Sequence, residues 1–134
     1  MPRTIATTAP AANRTVGPES CPITPVVDLV FSRWTTPILW KLNEYGRQRF
    51  VDLQKHVGTI TSKVLTQRLR QLERDGLVTR THYTEIPPRV EYEITELGKS
   101  LAPVFATLVV WSGEHLDDVH DARAHYDASG RPRA

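Results

Sequence analysis

The sequence predicts a mainly α-helical fold carrying one small β-hairpin (α+β). Three stretches carry that prediction. Thr61 to Asp75 repeats apolar residues at helical spacing, and Phe50 to Val57 does the same just upstream, across a brief Gly-containing turn. Leu77–Tyr83 and Arg89–Ile94 are rich in β-branched residues and alternate on either side of Pro87-Pro88, the pattern of two strands around a stiff loop.

Taken in order, residues 1–20 are rich in Thr, Ala and Pro without sustained periodicity, and are expected to form a disordered tail. They lack the apolar core of a secretory signal, and no run in the chain approaches the roughly 20 apolar residues that span a membrane. One cysteine, Cys21, cannot form an internal disulfide. A reducing, cytoplasmic setting without membrane contact is therefore expected.

Thr24 is expected to cap a first helix with Pro25 entering its first turn, followed by Val26, Val27, Leu29, Val30 and Phe31. Cys21 then lies just before a helix N-terminus, where the dipole favours a thiolate and an apolar setting opposes it, and where a free cysteine is as readily a small residue packed at the helix start. Thr35 or Thr36 is expected to cap a second helix through Ile38, Leu39, Trp40 and Leu42, with Gly46 ending it. Residues 47–50 read as a short extended link. Phe50, Leu53 and Val57 fall on one helical face, and Gly58-Thr59-Ile60 turns into Thr61, which caps the next helix.

In that helix, stepping about 100° per residue puts Leu65, Leu69 and Leu72 together and Lys63, Gln67, Arg70 and Arg74 opposite, with Thr66 at the edge. Arg68 points to the flank of the apolar side and is expected to pair with Asp52 or Asp75. Asp75-Gly76 stops the helix. The hairpin follows, with Arg89 at its tip, in reach of a minor groove or a phosphate, or else paired with Glu85 or Glu91 on a solvated face. Helix, short turn, helix and hairpin make a winged helix-turn-helix, whose second helix enters a major groove.

The charge distribution agrees. Net charge is only +2, but residues 47–90 hold nine basic and four acidic side chains, net +5, against +1 before them and −4 after. A positive field centred on one helix is what phosphate contact requires. Lys63, Thr66, Gln67 and Arg70 are expected nearest base edges, since Lys and Arg match guanine acceptors and Gln matches adenine. Ser62 and Arg74 are expected on phosphate, with Arg89 as the wing contact.

Thr95 is expected to cap a last helix that Pro103 bends near Lys99. Leu97, Leu101, Val104, Phe105, Leu108, Val109 and Trp111 make an apolar band wider than one packing face needs, and a two-fold homodimer is the economical use of it. Beyond Asp118 the chain turns polar and is expected to fray, which divides it into a tail (1–20), a folded domain (21–118) and a polar C-terminal tail (119–134).

Other functions fit poorly. No phosphate-cradling Gly-rich loop, nucleophile elbow or paired-carboxylate motif is present, so no enzyme is expected. His115, His120 and His125 recur every five residues, which scatters them around a helix, so neither metal nor cofactor is expected. Two alternatives stay open: a winged helix used as a protein-interaction module, and a regulator switched by a small apolar or aromatic ligand near Trp34, Trp40, Phe105 and Trp111. The last four are more readily ordinary core, as apolar bands at helical spacing usually are.

The assembled segments resemble the HxlR-type family of bacterial winged helix-turn-helix regulators over about Cys21 to Trp111. Cys21-Pro22, Trp34-Thr35 with Ile38-Leu39, and Arg49-Phe50 with Leu53 carry the resemblance. So do Thr61 to Val78, Pro87 to Tyr92 and Leu97 to Leu101. It implies a homodimeric cytoplasmic transcription factor on a short inverted-repeat operator, here expected to repress. It also implies a dimer built by the first and last helices, to which Val26, Val30, Leu101, Phe105, Leu108, Val109 and Trp111 would contribute. In several members a cysteine matching Cys21 senses electrophiles or oxidants. With no second cysteine, the partner of Cys21 would be an electrophile, a low-molecular-weight thiol or Cys21 of another subunit.

Overall fold

The computed structural model describes residues 21–130. The tail expected at 1–20 and the chain end at 131–134 lie outside them. Six helices and three short strands follow in the described chain: α1 (Thr24–Val30), α2 (Thr35–Tyr45), β1 (Gln48–Arg49), α3 (Phe50–Val57), α4 (Ser62–Arg74), β2 (Val78–Tyr83), β3 (Arg89–Ile94), α5 (Glu96–Lys99) and α6 (Ala102–Ala128). The strands form one antiparallel sheet in the order β1-β3-β2.

The core gathers one stripe from each helix. Ile38, Leu39 and Leu42 of α2, Leu53 of α3, and Leu65, Leu69 and Leu72 of α4 are almost wholly buried, and Val30, Ile60, Leu77, Val78, Ile94 and Phe105 close around them. Each such side chain contributes about 1.5–3 kcal/mol by leaving water. The i, i+4, i+7 spacing in α4 thus reports a real packing face.

Both ends of α4 are set by local chemistry. Thr61 Oγ1 accepts the Val64 N–H at 3.2 Å, the cap read from the sequence. At the other end Gly76 takes φ +79°, which lets the Leu77 N–H reach Leu72 O and the Gly76 N–H reach Glu73 O. This is a Schellman motif, and it needs the left-handed conformation that glycine adopts without strain.

Several expectations are corrected. Thr24, Thr35 and Thr36 do not cap: α1 and α2 start after Ile23 and Trp34 without a side-chain cap bond from either residue. Ser32 supplies that function for α2, its Oγ accepting the Thr35 N–H at 3.2 Å. The link at 47–50 contains a third strand, because Gln48 is buried and tied down. Its Nε2 donates to Lys41 O and Gly46 O, and its Oε1 lies 2.6 Å from His56 Nδ1. The last helix is broken rather than bent. The short α5 ends at Lys99, and Pro103 sits in the first turn of α6, where its missing N–H leaves no bond unmade. That helix also runs on to Ala128, so residues 119–128 are helical and not frayed.

Among the described glycines, Gly98 is the most closely packed. A Cβ there would meet Leu77 O at 2.5 Å and Ile94 Cγ1 at 2.6 Å. In an open helix Gly→Ala stabilises by up to about 1 kcal/mol, but forcing a methyl against a backbone oxygen costs about 1–3 kcal/mol. Clash should win: Gly98→Ala lowers the melting temperature by about 5 °C or more. An unchanged or higher melting temperature would show that α5 is free to slide off β3.

Candidate nucleic-acid interface

The helix-turn-helix is α3, the turn at 58–61 and α4. It is braced by Gln54, whose Nε2 donates to Ile60 O at 3.0 Å and to Ser62 Oγ at 3.2 Å. That bond fixes how α4 leaves the turn and leaves the Ser62 hydroxyl hydrogen unspent. With the leucine stripe buried, Lys63, Gln67, Arg70 and Arg74 are all exposed and Thr66 is half-buried at the edge. None of these four exposed side chains has a hydrogen-bond or ion-pair partner among the described residues. They form a row of uncommitted donors on the outward side of one rigid helix.

Arg68 departs from its expectation. It is half-buried beside Asp28, Gln71 and Asp75, but makes no ion pair among the described residues. The Asp75 carboxylate is instead occupied by Gln71 Nε2, at 3.2 and 3.1 Å. Arg68 Nε is buried without a partner.

Arg89 takes the paired arrangement that the sequence left open. Its Nη1 donates to Glu85 Oε1 at 2.8 Å, its Nε lies 3.0 Å from Glu91 Oε2 without hydrogen-bond alignment, and its guanidinium stacks 4.1 Å over Tyr83. Strand register explains the cluster, since Tyr83 faces Arg89 and Thr81 faces Glu91 across the hairpin. Arg47 joins from before β1: Nη1 donates to Tyr83 Oη at 2.6 Å and Nη2 to Glu93 Oε1 at 2.8 Å. The Glu93 hydrogen bond is the main reason the Arg47 guanidinium is held above its ordinary pKa. On this outer face of the wing Arg47 and Arg89 are set against Glu85, Glu91 and Glu93, and so neither has its charge free for phosphate.

Residue Arg80 was missed. Register pairs it with Tyr92, on the sheet face turned toward α4, and it is exposed without a partner among the described residues. The alternation of β2 was visible in the sequence, but only its register against β3 shows which face Arg80 takes.

The residues expected at a dimer interface divide. Val30 and Phe105 are buried in the domain's own core, Phe105 with the Phe31 ring edge-on at 6.2 Å, so they are not open surface. Val26 and Leu101 are half-buried against that core. Leu108, Val109 and Trp111 are about half exposed, with Val104 and Val110 beside them. A groove of about 420 Å³ runs between α2 and α6, lined by Trp40, Val57, Phe105, Leu108 and Val109 among others. Trp34 and Trp111 do not line it; Trp34 packs on the core beneath Arg33. Cys21 is exposed at the start of α1.

A family model described as HxlR-like helix-turn-helix matches residues 29–120. The chain belongs to the HxlR-like helix-turn-helix family. The uncharacterized HTH-type transcriptional regulator YdeP of Bacillus subtilis is 36% identical over 106 residues, covering 79% of this chain and 82% of that one. The redox regulator HypR in its reduced form superposes with a TM-score of 0.70 at 31% identity, over 75% of this chain and 99% of that one. Diamide-treated YodB from B. subtilis gives 0.60 at 31% identity, over 72% and 96%. HxlR-like proteins are DNA-binding transcriptional regulators, not enzymes, and this HxlR-like chain is a helix-turn-helix transcriptional regulator. No helix among its described residues is long and apolar enough to cross a membrane.

Because Arg89 is already committed to two carboxylates, Arg89→Ala should change DNA affinity by no more than about twofold and leave its salt dependence unaltered. A salt slope shallower by about 0.9 per bound protomer would instead put Arg89 on a phosphate.

Proposed function

We propose that the protein is a homodimeric repressor that reads an inverted-repeat operator with α4 in the major groove and is switched by modification of Cys21. One observation carries the reading. The outward row of α4 consists of polar side chains with no partner among the described residues, on a helix whose opposite face is locked in the core. Within that row Lys63, Thr66 and Gln67 stand nearest the helix N-terminus, which penetrates deepest in such docking, and read base edges. Ser62 and Arg74 hold phosphates on either side.

The dimer reading rests on α6. A 27-residue helix is about 40 Å long, yet Phe105 is its only fully buried residue. Val104, Leu108, Val109, Val110 and Trp111 point around its whole circumference, each about half exposed. A helix apolar on all sides needs a partner in water. A second copy of the same helix covers it and sets two α4 helices one DNA turn, about 34 Å, apart. Selection from a random DNA pool should return two half-sites in inverted repeat at that spacing. A pool without sequence preference would leave only non-specific affinity.

Cys21 is exposed, and HypR and YodB are similar chains studied as a redox regulator and after diamide treatment. The Cys21 thiolate would add to an electrophile, or displace a thiol from a low-molecular-weight disulfide and keep the other half as a mixed disulfide. Either adds bulk at the start of α1, whose Phe31 ring contacts Phe105 at the root of α6. Diamide together with a small thiol should weaken operator binding by wild type and leave Cys21→Ser unaffected. Equal binding by treated and untreated wild type would remove Cys21 as the switch.

A second reading has its own observation. The groove between α2 and α6 is large enough for a small aromatic ligand, and its apolar lining suits one.

A further inference from the structure

A cleft of about 380 Å³ opens between α4 and the sheet, lined by Thr66, Arg70 and Glu73 on one wall and Arg80 and Tyr92 on the other. Two guanidiniums from different elements face this one space. Neither has a carboxylate partner among the described residues, although Glu73 is near enough to share the lining. Two arginines that share one cleft with a single carboxylate leave a net positive charge there, which attracts an anion. The cleft's balance of two positive charges and one negative matches a ligand carrying a single negative charge.

We propose that this cleft seats one phosphodiester of a DNA strand running between α4 and the wing, held by Arg80 from β2 and Arg70 from α4. The proposal rests on the DNA-binding reading above and goes beyond it. Arg80 becomes the wing's phosphate contact in place of Arg89. Arg70 is turned from base edges to the backbone, which its angle on the helix allows, since it leans toward the Thr66 edge. A guanidinium fork bonds two phosphate oxygens at once, so a pair fixes where the strand lies as well as attracting it. The clamp thereby sets the register in which Lys63 and Gln67 meet the bases.

The test is methylphosphonate interference, in which one backbone phosphate at a time is made neutral within a selected operator. Wild type should lose about tenfold in affinity at one phosphate per half-site. On unmodified DNA, Arg80→Ala should bind about tenfold more weakly, alike on operator and random sequence. Its salt slope should be shallower by about 0.9 per protomer, and it should lose clearly less than wild type on substitution of that same phosphate, where Arg70 remains. Arg80→Lys should restore the salt slope while recovering only part of the affinity. Circular dichroism on Arg80→Ala, an exposed position, checks that the fold is intact. Wild-type affinity in Arg80→Ala would overturn the proposal. So would a loss confined to one base pair, or sensitivity to the neutral phosphate as large as that of wild type. Calorimetry with inorganic phosphate separates a free-ion site: uptake lost in Arg80→Ala with DNA affinity unchanged also overturns it. If wild type shows no salt-dependent DNA binding at all, the regulator reading fails first and this one falls with it.

Discussion

Burial of Leu65, Leu69 and Leu72 is the constraint on which the rest of the molecule depends. A helix can roll about its axis unless one stripe is claimed by the core, and here the stripe is claimed completely. The Thr61 cap and the Gly76 turn then fix where the helix begins and ends. With roll and limits set, Lys63, Gln67, Arg70 and Arg74 must face outward together. Their chemistry is not needed for folding, since none has a hydrogen-bond or ion-pair partner among the described residues. Side chains held rigidly but left without partners are the ones available to a ligand.

Electrostatics narrows the surface further. The middle of the chain is strongly positive, yet its arginines are not equivalent. On the outer wing face Arg47 and Arg89 are surrounded by Glu85, Glu91 and Glu93, and Tyr83 lies between them. That network stiffens the hairpin and cancels its charge. Arg80, on the opposite face of the sheet, stays open beside α4. The sheet therefore holds Arg47 and Arg89 in a paired network on one face and leaves Arg80 unpaired among the described residues on the other.

The helix-turn-helix was legible because each of its signals is local: a leucine stripe at helical spacing, a threonine cap, a glycine stop. Alternation likewise revealed the hairpin. What escaped were features set by distant partners. Gln48–Arg49 is too short to carry a pattern, and becomes a strand only because β3 lies beside it and the Gln48 side chain is captured by α2 and His56. Val30 and Phe105 belong to an apolar band that looks uniform in sequence, whereas the fold buries these two and leaves Leu108, Val109 and Trp111 out. The pairing of Arg89 with Glu85 and Glu91 was visible as a possibility, but choosing it required the hairpin register. Arg68 lies on the flank that the spacing predicts but makes no ion pair among the described residues, with the Asp75 carboxylate taken by Gln71.

Two surfaces of the fold thus divide the work. One presents α4 and the inner wing as a polar, positively charged face. The other presents α1 and α6 as an apolar one, with Cys21 at its edge. The most direct measurement is to titrate an isotope-labelled protein with a short duplex and follow its amide signals. Shifts should concentrate in residues 61–74 and around Arg80, spare the tip at Glu85–Arg89 relative to Arg80, and leave Val104–Trp111 unmoved. Shifts centred on α6 with α4 silent would contradict the account.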